Sequence, residues 1–114
     1  ATHHIADLDD VTVSTSSSRT WEPRVAVTVL DANGVAVEGA IVNGSFSHVS
    51  QGQTCTTEAN GTCIMGEYLS LSRSFPSTAF TVTDVIRVSS TYVPAANSDP
   101  DGDSNGTTET VRLP

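Results

Sequence analysis

Two Asn-Gly pairs, Asn33-Gly34 and Asn60-Gly61, punctuate the stretch from Val25 to Cys63 and cut it into short segments. Asn-Gly is the residue pair that supplies the positive φ angles tight hairpin turns demand. Before the first pair, Val25, Val27 and Val29 alternate with Ala26, Thr28 and Leu30. That two-residue period describes a strand with one face in a core. The stretch therefore reads as strand, turn, strand, loop, strand, turn, strand. Cys55 and Cys63, the only cysteines, stand on the two arms of the second hairpin. Pairing across a hairpin would bring their sulfurs together. Zinc would need two further ligands, and His48 is alone nearby. The expectation is a Cys55–Cys63 disulfide, contributing up to about 2–3 kcal/mol by closing a short loop. A disulfide implies export to an oxidising compartment. No signal peptide opens the chain, so the numbering is expected to begin inside a processed or truncated protein.

A chain of 114 residues is expected to be one domain, spanning 1–114. At this length a single core buries roughly 65% of the unfolded chain's surface. No window carries the i, i+3, i+4, i+7 pattern of an amphipathic helix. The formal charge is -8, from thirteen acids against five arginines with no lysine. Phosphate binding needs a clustered basic surface, so nucleic acid is not expected as a partner. No apolar run approaches the roughly 18 residues of a membrane-spanning helix, and no membrane partner is expected.

Along the chain, Ile5 and Leu8 stand among acids, and Val11 to Val13 offers a first strand. Ser14 to Thr20 is a polar loop, and Gly39 and Gly44 predict a kink or bulge in the segment after the first turn. Phe80, Val82, Asp84, Ile86 and Val88 share one face of a later strand. A buried unpaired Asp84 would be costly, so the strand bends there or the carboxylate caps a turn. The acidic loop Asn97 to Gly106 leads into a last strand, Thr107 to Leu113. Six to eight short strands separated by turns predict an antiparallel sandwich.

The run VTVLDANGVAVEGAIV, followed by TCTTEANGTC, resembles bacterial immunoglobulin-like modules of the invasin type and their carboxypeptidase-regulatory-like relatives. The shared phrase occupies Asp31 to Ala40 and Thr57 to Gly61. The whole chain is most similar to accessory modules of secreted bacterial proteases and polysaccharide hydrolases. The resemblance implies an all-β, immunoglobulin-like antiparallel β-sandwich of about seven strands. It also implies a non-catalytic spacer, adhesion unit or substrate-binding appendage, and lends no catalytic residue.

The sharpest candidate site is the loop Asp99-Pro-Asp101-Gly-Asp103-Ser-Asn105-Gly106. Alternating oxygen donors can converge on one ion, and glycine permits the tight wrap that calcium loops use. Arg112 stands where a bidentate Glu would close a self-contained calcium loop, so oxygens must come from elsewhere. If the first and last strands run the same way side by side, Asp7, Asp9 and Asp10 can reach this loop. Calcium is thus expected on Asp99, Asp101, Asp103 and Asn105 with Asp7 and Asp9; the plainer alternative is an acidic, solvated loop.

His3-His4 suggests a metal, but neighbours in a strand point to opposite faces, and terminal imidazoles are usually solvated. Trp21, Tyr68 and Tyr92 could form a sugar-stacking platform, although a lone Trp beside a strand start usually packs inward. No Gly-x-Ser-x-Gly nucleophile elbow occurs. The Asn-Gly-Ser/Thr sequons at Asn43, Asn60 and Asn105 are better read as turns. The expected function is therefore a non-catalytic, calcium-stabilised, monomeric spacer of a larger secreted bacterial protein, partnered by neighbouring domains. A carbohydrate-binding module for an insoluble polysaccharide is the alternative, and an adhesin-type interaction repeat a further one.

Overall fold

The computed structural model describes residues 1–13, 18–67, 69–99, 102 and 104–114. They form an all-β structure in which two four-stranded sheets enclose one core. The first sheet has the order β6 (Thr62–Met65), β3 (Val25–Asp31), β1 (Thr2–Asp10), β9 (Thr91–Tyr92). The second has the order β10 (Thr108–Arg112), β8 (Ser77–Ile86), β4 (Ile41–Phe46), β5 (Gln53–Thr56). A small ribbon of β2 (Thr20–Trp21) and β7 (Leu71–Ser72) closes one end, and a 3-10 turn covers Pro94–Ala96.

The alternation in Val25, Val27 and Val29 does what its period demands: all three are fully buried. Ile5 and Leu8 join them from β1, facing Val42, Phe46, Phe80, Val85 and Val111 across the sandwich. Phe46 and Phe80 pack at a tilt with centroids 4.9 Å apart. Gly44 makes room for that contact, because a Cβ there would lie 2.5 Å from the Phe80 ring.

The turn segments reverse the chain as expected, but neither Asn-Gly turn closes a hairpin ladder. After Gly34, β3 keeps only the isolated bridge Leu30–Ala36, and the chain then crosses to β4 in the other sheet. After β5, the turn at 58–61 carries the chain back to β6 in the first sheet. The positive φ falls on Gly34 and Gly61 alone, not on the asparagines before them. The expected disulfide is present, between Cys55 and Cys63 with Cα atoms 5.9 Å apart. It joins the edge strands of the two sheets rather than the arms of one hairpin.

Three further expectations change. The first strand is Thr2–Asp10, with Val13 making only an isolated bridge to Glu22. In β8 the register against β4 shifts between Asp84 and Val82, leaving Thr83 as an extra residue. A bulge of this kind reverses the faces beyond it, so Val85 is buried while Asp84, Ile86 and Val88 are exposed. Asp84 accepts a hydrogen bond from the Val85 amide. His3 is buried rather than solvated, with Nε2 2.6 Å from the Val85 carbonyl oxygen and Nδ1 2.7 Å from Ser90 Oγ.

Candidate metal centre

The acidic site is built on an irregularity of β1. Pairing with β3 shifts between Ile5 and Asp7, so Ala6 is an extra residue in the strand. Before this bulge His3 and Ile5 point inward; after it Leu8 does, which puts Asp7 and Asp9 together on the opposite side. β1 is flanked by β9 only at Thr2 and His3. Farther along, the segment after β9 takes over that edge. The Val93 amide donates to the His3 carbonyl, and the Ser98 amide donates to the Ile5 carbonyl, both at 2.9 Å.

Asn97 anchors this segment. Its Oδ1 accepts from the Ile5 amide at 2.8 Å, and its Nδ2 donates to the Tyr92 hydroxyl and Thr107 Oγ1. One side chain thereby ties β1, β9 and the approach to β10 together. Two residues on, Asp99 meets the β1 acids: carboxylate oxygens of Asp7, Asp9 and Asp99 all lie within 4.8 Å of one another. Asp99 Oδ2 also accepts from Ser104 Oγ at 2.5 Å, while Ser104 Oγ accepts from the Gly106 amide at 3.0 Å. Gly106, at φ +81, is packed so closely that a Cβ would fall 2.6 Å from the Ser98 nitrogen.

Three half-buried carboxylates this close repel one another unless a cation or protons intervene. An all-carboxylate donor set suits a hard cation. Two oxygens on one calcium ion, each at 2.3–2.6 Å, can be no more than about 5.2 Å apart, whereas magnesium at 2.0–2.1 Å permits only about 4.2 Å. Carboxylate oxygens within 4.8 Å of one another fall inside the calcium limit.

Of the residues expected to form the site, Asp7, Asp9 and Asp99 are brought together. Asp101 and Asp103 lie outside the described residues. Asn105 is turned elsewhere: its Oδ1 accepts from the Thr107 and Thr108 amides, capping the start of β10. Asp10 serves as a clamp, with Oδ1 accepting from the Thr12 amide and Oδ2 from the Arg112 amide. Glu109 is 3% exposed on the inward side of β10, beside Val111 in the alternation. The sequence alone did not single out Asn97; an Asn just before a run of acids is the signal that marks it.

The other candidates separate. Trp21 is 1% exposed, and its indole Nε1 donates to the Phe75 carbonyl. Tyr92 is half-buried and stacks on His3 at 5.8 Å. Burial raises the Tyr92 pKa above 10.0, with the hydrogen bond from Asn97 opposing and the charge of Asp84 adding to the rise. Tyr68 lies outside the described residues. No helix among the described residues is long and apolar enough to cross a membrane. No family model, curated protein or solved structure matches the chain.

Proposed function

We propose that this chain is a non-catalytic, immunoglobulin-like spacer module of a secreted bacterial protein, braced by calcium. The observation that carries the reading is the course of the chain along its long axis. Ala1 lies beside Thr91 at one end of the sheets, and Leu113 lies beside Pro76 at the other. β1 and β10 run in the same direction and meet at Asp10 and Arg112. A rod of 46 × 25 × 22 Å entered at one end and left at the other sets a distance between whatever flanks it.

Strand order supports the immunoglobulin-like assignment. With β1, β3 and β6 as strands A, B and E, and β4, β5, β8 and β10 as C, C′, F and G, the pairing orders A-B-E and G-F-C-C′ support that reading, and β9, parallel to β1 and between F and G in the chain, is an addition to it. The disulfide supports an oxidising destination. Burial of Trp21 favours a spacer over a carbohydrate-binding module, which needs its aromatic rings on an open face.

Calcium would be held by Asp7, Asp9 and Asp99, with water and backbone oxygens completing its 6–8 ligands. Bound there, it would fasten the loop before β10 to the middle of β1. At a hundredfold excess over its dissociation constant, such an ion stabilises the folded state by about 2.7 kcal/mol. Each kcal/mol raises the melting temperature of a domain this size by about 4–8 °C. Calcium should therefore raise the melting temperature over chelator by roughly 10 °C or more. Asp7→Asn and Asp99→Asn should each abolish most of that difference. Coincident melting curves in calcium and chelator would remove the ion and leave a solvated acidic surface.

A further inference from the structure

Four Asn-Gly pairs occur in the chain, at Asn33, Asn43, Asn60 and Asn105. In sequence they are equivalent, because each asparagine precedes a residue with no Cβ to shield its backbone nitrogen. Folding makes them unequal. Gly44, Gly61 and Gly106 are buried, whereas Gly34 is exposed. Gly44 lies in β4 between β5 and β8, where a Cβ would fall 2.5 Å from the Phe80 ring. Gly106 is pressed against Ser98, and its amide donates to Ser104 Oγ. Asn105 Oδ1 is held in turn by the Thr107 and Thr108 amides.

The other two pairs sit in turns of one design, Asp-Ala-Asn-Gly at 31–34 and Glu-Ala-Asn-Gly at 58–61. In each, the glycine amide donates back to the acid's carbonyl, at 3.0 Å for Gly34 and 2.8 Å for Gly61. In each, the acid's amide donates to the carbonyl of the residue after the glycine. Their surroundings differ. Asn60 Oδ1 accepts from both the amide and the hydroxyl of Thr62. The Gly61 carbonyl accepts from the Val29 amide, and a Cβ on Gly61 would fall 2.8 Å from the Val29 carbonyl oxygen. In the first turn Val35 stands where Thr62 does in the second, and its amide donates to Asp31 Oδ1. The Asn33 side-chain amide has no hydrogen-bond partner among the described residues. Nothing lies within 4 Å of where a Gly34 Cβ would stand.

The structure assigns Asn33 as the site of a spontaneous covalent modification, in which its side chain cyclises onto the Gly34 nitrogen. Hydroxide removes the Gly34 amide proton, and the nitrogen then bonds to the Asn33 side-chain carbonyl carbon. The bond from that carbon to the side-chain nitrogen breaks. The nitrogen leaves as ammonia after taking a proton from water, and a succinimide ring remains. Water opens the ring at either carbonyl, leaving aspartate or isoaspartate at position 33. Cyclisation requires the turn to open first, because the Gly34 amide is otherwise bonded to the Asp31 carbonyl. Opening costs little where nothing packs on the glycine, and much where strands must part. The change adds a negative charge close to Asp31 and, as isoaspartate, lengthens the backbone of the turn. Both effects fall beside the cleft that Ala1, Asp31, Val37 and Arg87 line.

Peptide mapping by mass spectrometry of the intact chain, aged at mildly alkaline pH, tests this. An isoaspartyl methyltransferase reports the rearranged product. Deamidation should accumulate at Asn33 roughly tenfold or more faster than at Asn43, Asn60 or Asn105. In concentrated urea with reductant the four pairs should react at similar rates, because the fold no longer separates them. Anion exchange should resolve an aged species with one added negative charge, and Asn33→Gln should abolish it. Similar rates at all four pairs in the folded chain would overturn the proposal. So would a faster reaction at one of the three buried pairs, or a preference for Asn33 that survives urea undiminished.

Discussion

Tyr92 shows how much one half-buried side chain can report on its surroundings. Its ring stacks on buried His3, its hydroxyl takes a hydrogen bond from Asn97, and burial raises its pKa above 10.0. A tyrosine harder to ionise in the folded state than in the unfolded one favours folding while it is protonated. That contribution is complete below pH 10, the ordinary value, and is lost as pH rises through the higher folded value. Stability measured by urea unfolding should therefore fall above pH 10, and Tyr92→Phe should flatten the fall. An equally steep fall in the variant would place its cause elsewhere. The residue scale is also where the sequence misleads most. Asp84 shares a two-residue period with Phe80 and Val82, yet it is exposed, because the extra residue Thr83 reverses the faces beyond it. His3 looks like a solvated terminal imidazole but lies in the core, since its partners Val85 and Ser90 are more than eighty residues away. No local pattern encodes a contact of that separation.

Among the elements, strands were legible and their partners were not. The valine alternation of β3 and the turn residues around it locate a strand and a reversal. Turn chemistry does not say whether the returning chain pairs with the strand it left or crosses to the opposite sheet. Both Asn-Gly turns cross. The disulfide was foreseen from the spacing of Cys55 and Cys63 around the turn, yet its role differs: it ties the edge of one sheet to the edge of the other. Both cysteines changed to serine should cost about 2–3 kcal/mol by releasing that short loop in the unfolded chain. In urea this should appear as a lower midpoint. An unchanged midpoint would mean that the β5–β6 seam is held by packing alone. The acidic site was half legible. Acids in β1 and in the late loop stand out in the sequence, and parallel first and last strands bring Asp7 and Asp9 to Asp99. The bulge at Ala6 that aims them, and the use of Asn105 as a cap rather than a ligand, depend on pairing that only the folded chain reveals.

For the molecule as a whole, the proposed spacer role has one physical content: the two ends are held at a set separation, and calcium at Asp7, Asp9 and Asp99 helps to hold it. The strand directions put Ala1 and Pro114 at opposite ends of a rod 46 Å long. Core packing of both sheets and the seam closed by Cys55–Cys63 resist bending. The loop before β10 is the part fastened through side chains, by Asn97 and the acidic cluster. Spin labels near Ala1 and Pro114, measured by double electron–electron resonance in calcium and in chelator, test this most directly. The account predicts a single narrow distance distribution in calcium, on the scale of the 46 Å axis, that broadens when chelator releases the loop. A broad distribution reaching short distances with calcium present would contradict it.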